Sequence, residues 1–172
     1  GFLHPEGVYD DSKGGILRHE IYTRLRYHLQ FQNEKKLFAI GNQFKFSINI
    51  FSSPKSEILF NNIANLFSPF TVDSCFSHNG CGPVPGIESG GDEDDDSKAE
   101  WTIVGHHDRI VLVDTPLLGL FAKLYDEAGT PATQARLPTI HAVQLVEVLR
   151  KFSTYPRRLA DLGENFRPTI MW

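Results

Sequence analysis

The sequence predicts an α/β fold, and three stretches carry that reading. "FKFSINIF" alternates strictly, with Phe44, Phe46, Ile48 and Ile50 on one face and Lys45, Ser47, Asn49 and Phe51 on the other, as a strand requires. "ILRHEIYTRLRYHL" repeats Ile16/Leu17, Ile21, Leu25 and Leu29 at helical spacing, with Arg18, Glu20, Arg24 and Arg26 between them. Farther on, Thr115-Pro116 opens a second helical pattern, since proline suits a first helical turn. At 172 residues the chain is long enough for one ordinary core.

The elements follow in order. Phe2-Leu3 reads as the end of a buried strand that enters the turn His4-Pro5-Glu6-Gly7, and the chain stops on the apolar pair Met171-Trp172. The expectation from both ends is a piece of a longer polypeptide. After Gly14-Gly15 comes the helix of about four turns, running on to Leu29. "QFQNEKKLF" has the length of a strand whose middle, Glu34-Lys35-Lys36, is exposed or bent. Ser53-Pro54 predicts the cap and first position of a helix over "KSEILFNNIANLF", with Ile58/Leu59, Asn62/Ile63 and Leu66/Phe67 as its stripe. Residues 1–68 form the first unit on this reading.

Residues 69–99 are rich in Gly, Pro, Ser and Asp without a sustained period. They predict a linker that is mobile from Gly86 onward. Residues 100–172 form the third segment. "WTIVGHHDRIVLV" predicts a hairpin around Gly105-His106-His107-Asp108. The helix from Thr115 then carries Leu117, Leu120/Phe121 and Leu124 and stops near Gly129. Pro131 and Pro138 bracket a connection. "TIHAVQLVEVLRKF" gives a last helix with Ala142, Leu145/Val146, Leu149 and Phe152 on one side, ended by Tyr155-Pro156.

Bulk properties exclude little. The net charge is −4, but Asp92-Glu93-Asp94-Asp95-Asp96 supplies −5 of it, so the remainder sits at about +1 and a DNA partner is not opposed. Two cysteines, Cys75 and Cys81, predict no disulfide framework and fit a cytoplasmic location. No window approaches the ~20 apolar residues of a membrane span. Cys75, His78, Cys81 and His106-His107 contain zinc-ligand types, but Cys-x5-Cys with an interior His is poor spacing, so no metal site is expected. Lys35-Lys36 and Arg157-Arg158 cluster near element ends and are the candidates for phosphate contact, whereas Arg24 and Arg26 read as a solvated helix face. No Ser-His-Asp, paired-carboxylate or phosphate-loop signature supports a hydrolase or kinase.

"FLHPEGVYDD", the Leu17-Arg18 helix start, "RLRYH", "QFQNE" and "KFSINIF" together resemble the second half of the catalytic domain of adenine-N6 DNA methyltransferases of the restriction-modification and phage-defence type. The turn His4 to Gly7 matches that family's strand-ending turn, and Phe46, Ser47, Asn49 and Phe51 match its Phe-Ser-x-Asn-x-aromatic strand. "NLFSPFTVDSC", "HNGCGPVPGI", "GHHDRIV" and "LFAKLYDEAGTP" extend the resemblance over nearly the whole chain. It implies the later strands of a Rossmann-like methyltransferase sheet, plus a hairpin and two helices.

It also implies a target-base pocket in which Phe44 or Phe46, with Phe38 as a further candidate, stacks on an extruded adenine. Double-stranded DNA and S-adenosylmethionine are then ligands of a parent enzyme that supplies the missing N-terminal half, and a sheet edge left open could pair two copies. The family's Gly-rich cofactor turn and its Asn/Asp-Pro-Pro-aromatic tetrapeptide are absent from this sequence, so no catalytic or cofactor-binding residue is expected in it. The alternative expectation is a non-catalytic module that binds DNA or protein, with zinc as a stabiliser.

Overall fold

The computed structural model describes residues 1–90, 100–157, 161 and 163. Among these, five strands make one mixed sheet in the order β1–β3–β2–β4–β7: β1 (Phe2–Pro5), β2 (Leu25–Gln32), β3 (Lys45–Phe51), β4 (Leu59–Leu66) and β7 (Val111–Asp114). A two-stranded ribbon, β5 (Glu88–Ser89) with β6 (Glu100–Trp101), stands apart. Helices α1 (Gly7–Asp10), α2 (Gly15–Arg24), α3 (Phe70–Ser77), α4 (Thr115–Tyr125) and α5 (Val143–Thr154) complete an α/β fold. β3 is antiparallel to both β1 and β2, β2 and β4 are parallel, and β7 is antiparallel to β4. β1, β2 and β4 therefore run the same way, and their C-terminal ends share one edge of the sheet.

Each face has its own core. Tyr22, Leu25, Phe60, Val111, Val113, Leu118 and Phe121 pack on the face covered by α2 and α4. Phe31, Phe46, Ile63, Leu66 and Cys75 pack on the other, beneath α3. Because β7 pairs with β4, and Leu117, Leu118 and Phe121 of α4 belong to the same core as Tyr22 and Phe60, residues beyond 100 share the sheet and core of residues 1–68.

The helix at Thr115 forms as the sequence predicts. The Asp114 carboxylate accepts from Leu117 N at 2.8 Å, Pro116 occupies the first turn, and Leu117, Leu120 and Phe121 are buried. The β3 alternation also holds, with Phe46 in the core and Ser47 and Asn49 facing oppositely. Other expectations are corrected. The helix expected to reach Leu29 ends at Arg24, and Leu25 begins β2 directly. Leu25 and Leu29 satisfy helical spacing, but a strand buried on both faces accepts them equally well. The strand expected over "QFQNEKKLF" stops at Gln32, where a 3-10 turn over Asn33–Lys35 leads to Lys36 in the left-handed region.

The helix expected over residues 55–67 is strand β4. Ile58, Ile63 and Leu66 recur at helical spacing, and a short buried run of this kind cannot be told from a helix by period alone. The hairpin expected over 101–113 does not form. Instead, Trp101 pairs in the ribbon and Val111–Asp114 joins the main sheet, with a 3-10 turn at His107–Arg109 between them. Gly105 sits against α3 so closely that an added Cβ would lie 2.4 Å from Cys75 N, which fixes this crossing in place of a free loop.

The predicted linker contains α3 and the β5 strand; its acidic run, Asp92 to Asp96, lies outside the described residues. The last helix is present, although Leu145 and Phe152 of its expected buried stripe are exposed and Val146 is its buried anchor. No helix among the described residues is long and apolar enough to cross a membrane.

Candidate functional site

The C-terminal edge of the parallel strands is where open α/β sheets generally place their ligands, and it holds the candidate site. On one side of that edge is the loop from Asn33 to Phe44, between β2 and β3. Asn33 is fully buried and organises it. Its Nδ2 donates to the carbonyls of Phe38, Ile40 and Gly41 at 3.0, 3.0 and 3.2 Å, and its Oδ1 accepts from Phe38 N at 3.0 Å. Asn33 N also bonds Phe44 O at 3.0 Å and closes the loop base.

This scaffold holds apolar side chains in solvent: Phe38 is 43% exposed and Phe44 is 55% exposed, with Leu37 and Ile40 beside them. Phe46, the third base-pocket candidate, is buried and stacks on Phe31 (5.4 Å between ring centroids, 5° between planes). Phe38 meets Phe46 edge-on at 5.0 Å, so Phe46 is the base on which the Phe38 ring rests. Lys35 and Lys36 are exposed at the start of the same loop. Arg157 is exposed after α5, far along the chain, and Arg158 lies outside the described residues.

On the α2 face, directly behind this edge, the sheet buries a row of polar groups. The strand period puts Ser47 and Asn49 of β3, His28 and Gln30 of β2, and Asn62 of β4 side by side, all buried. Glu6, the first residue after β1, drops into the row. Its Oε1 lies 3.2 Å from His28 Nε2, its Oε2 accepts from Gln30 Nε2 at 2.9 Å, and it also bonds Ser47. The other ring nitrogen, His28 Nδ1, lies 2.6 Å from Asn62 Oδ1. The His28 ring thus bridges Glu6 on β1's side and Asn62 of β4. Tyr9 donates its hydroxyl to Asn49 Oδ1 at 2.6 Å and sets its ring edge-on to His28 at 4.3 Å, while Asn49 Nδ2 donates to Ser47 Oγ and His4 Nε2.

Burial by itself would raise the Glu6 carboxyl pKa, but His28, Ser47 and Gln30 outweigh it and hold it at about 2. Burial pushes the Tyr9 hydroxyl far up, so it stays a donor. The strand alternation in the sequence identified the face but not its burial. The signal available was the run of Ser47, Asn49, Asn62 and His28 at positions where strands are otherwise apolar.

A small pocket of about 120 Å³ opens above this row, lined by Glu6, Tyr9, Gln30, Lys45 and Thr139. A wider cleft of about 610 Å³ lies at the start of α2, and three of its charged side chains, Arg18, Asp126 and Arg136, are engaged internally. There Arg18 donates to the carbonyls of Val8, Asp11 and Gln134, and Arg136 pairs with Asp126 at 2.7 Å.

At the end of β4 the register slips: Leu29 faces Ile63, yet Phe31 faces Leu66. Asn65, with φ 55°, takes up the extra residue as a bulge. The carbonyls of Ala64 and Asn65 are both taken by buried Arg109 Nη2 at 2.9 Å. His106 lies against His78 (4.2 Å between rings), Cys75 is buried and Cys81 is exposed. No group of three or more His, Cys, Asp and Glu among the described residues is placed to hold a metal. No family model, no curated protein and no solved structure matches this chain.

Proposed function

We propose that the chain is part of a DNA adenine-N6 methyltransferase of the restriction-modification or defence type, contributing to the target-base pocket and to DNA binding. The observation that carries the reading is the Asn33–Phe44 loop. It presents two exposed phenylalanines next to two lysines, on a scaffold locked by one asparagine. A base rotated out of a duplex needs an aromatic face to stack on and cationic groups near its phosphates, and this loop offers both.

The β1–β3–β2 order supports the same reading. On this reading the antiparallel β3, lying between the parallel β1 and β2, belongs to the later strands of the methyltransferase sheet. Phe38 and Phe44 are then the stacking candidates, with Phe46 as their core anchor. Lys35 and Lys36 contact phosphate, joined by Arg157 and Arg158 if the end of the chain reaches DNA. The sequence has neither the Gly-rich turn nor the Pro-Pro tetrapeptide of the family, so its residues do not fit S-adenosylmethionine, and no chemical step is assigned to this chain. The parent's other half would supply both. β1 is an edge strand whose Phe2 and Leu3 are exposed, a surface suited to pairing with that half or with a second copy.

The test is duplex-DNA binding at low and moderate salt, with S-adenosylmethionine binding measured on the same sample. DNA containing an unpaired adenine should bind more tightly than the matched duplex. Phe38→Ala with Phe44→Ala should remove that preference, at about 1–3 kcal/mol per stacked base. Lys35→Gln with Lys36→Gln should flatten the salt dependence by up to about two counterions. DNA binding that neither pair of substitutions changes would sink the reading.

A further inference from the structure

The pocket above the polar row has a donor and acceptor set that the target-base reading does not use. Gln30 is 95% buried by its 5% exposure, and its amide orientation is set by its neighbours: both Nε2 hydrogens are taken, one by Glu6 Oε2 at 2.9 Å and one by Thr139 Oγ1 at 3.1 Å. Turning the amide over would place its oxygen against the Glu6 carboxylate. Gln30 Oε1 is therefore left as an acceptor with no donor among the described residues, on a side chain that lines the cavity. Thr139 accepts from Gln30, which leaves its own hydroxyl hydrogen to donate. Lys45, exposed at the rim, adds a second donor. Tyr9, Leu137 and Pro138 supply apolar wall, and the exposed Asp10 carboxylate is a further acceptor at the opening.

An acceptor next to donors, in a space of about 120 Å³, matches a planar ring that carries an N–H beside a ring nitrogen or carbonyl. We propose that this pocket binds the amino-and-ring-nitrogen edge of a single nucleobase, with Gln30 Oε1 accepting from the exocyclic amine and Thr139 and Lys45 donating to the ring. Glu6 acts as a positioning residue, since its carboxylate fixes which end of the Gln30 amide faces the ligand. The choice of a base over another small amide rests on the DNA-binding reading.

The probe is free adenine, titrated into the whole chain while the Gln30 side-chain amide is followed by ¹⁵N–¹H NMR. Purine, which lacks the amine, and propionamide serve as comparison ligands. Adenine should shift the Gln30 signal and bind about five- to tenfold tighter than purine, the difference one hydrogen bond makes. Thr139→Val and Lys45→Met sit at the surface and should keep the native circular dichroism while each weakens adenine about fivefold. An unmoved Gln30 signal, unchanged affinity in both variants, or tighter binding of propionamide than of adenine overturns the proposal. Duplex binding on the same samples separates the two readings. Loss of DNA binding with the Gln30 response intact sinks the methyltransferase reading alone, and the reverse sinks the pocket alone.

Discussion

Replacing Glu6 with glutamine removes one charge from the centre of the buried polar row and leaves its shape. The carboxyl has a pKa of about 2 in the folded chain against 4.5 for an unperturbed glutamate. At about 1.4 kcal/mol per pH unit, that gap is worth roughly 3 kcal/mol of folding stability. The folded value is the lower one, so this contribution is fully present above 4.5 and is lost as the pH falls toward about 2. Near neutrality Glu6→Gln should therefore cost roughly 3 kcal/mol, in line with losing charge-assisted bonds to His28, Gln30 and Ser47. Urea unfolding of both proteins through the acid range is the assay. The difference between them should shrink steadily across that window and be nearly gone at its lower end. A difference that stays constant with pH would show that Glu6 acts through packing alone, and the electrostatic account of the row would fail.

Two further substitutions test the supports of the site. Asn33→Ala strips three carbonyls and one N–H of their partner, so the loop should lose about 2–3 kcal/mol of local stability. Hydrogen exchange at the Phe38 amide should accelerate about a hundredfold, while β4 amides stay protected. Arg109→Met keeps much of the length of the side chain but abandons the carbonyls of Ala64, Asn65 and Val104 beside the β4 bulge. The expected cost is about 3 kcal/mol or more, read as a lower urea midpoint with an unchanged slope.

The parts of the fold legible in the sequence are those where local chemistry and tertiary environment agree. Asp114, Thr115 and Pro116 form a helix start by their own bonding, so α4 could be placed before any neighbour was known. The strict alternation of β3 likewise assigns its faces. β4 was not legible as a strand because Asn61, Asn62 and Asn65 break the alternation that marks a strand, while Ile58, Ile63 and Leu66 fit a helical stripe as well as a sheet. The passage from α2 into β2 was hidden for a similar reason, with no glycine or proline between Arg24 and Leu25 to mark it. Of the site, Phe38, Phe44 and the lysines were visible as residue types. What was not visible is that Asn33 organises the loop, since its four side-chain bonds depend on how the chain folds back through Phe38, Ile40 and Gly41.

The polar row explains why this sheet tolerates no other register. Asn62 of β4 and Asn49 of β3 lie on either side of β2, and each is buried against a fixed partner, His28 or Tyr9. A one-residue slip of β3 would turn Ser47 and Asn49 onto the face packed with Phe31, Ile63 and Leu66, and would bring Phe46 and Ile48 beneath Glu6. That exchange would strand an ionised carboxylate and several amides without partners, at roughly 1–3 kcal/mol for each group. An apolar sheet could slip at much lower cost. The row thus fixes the β2–β3 register, and with it the two ends of the loop that holds Phe38 and Phe44. The exposed aromatic rings and the buried Glu6 network are two sides of one constraint.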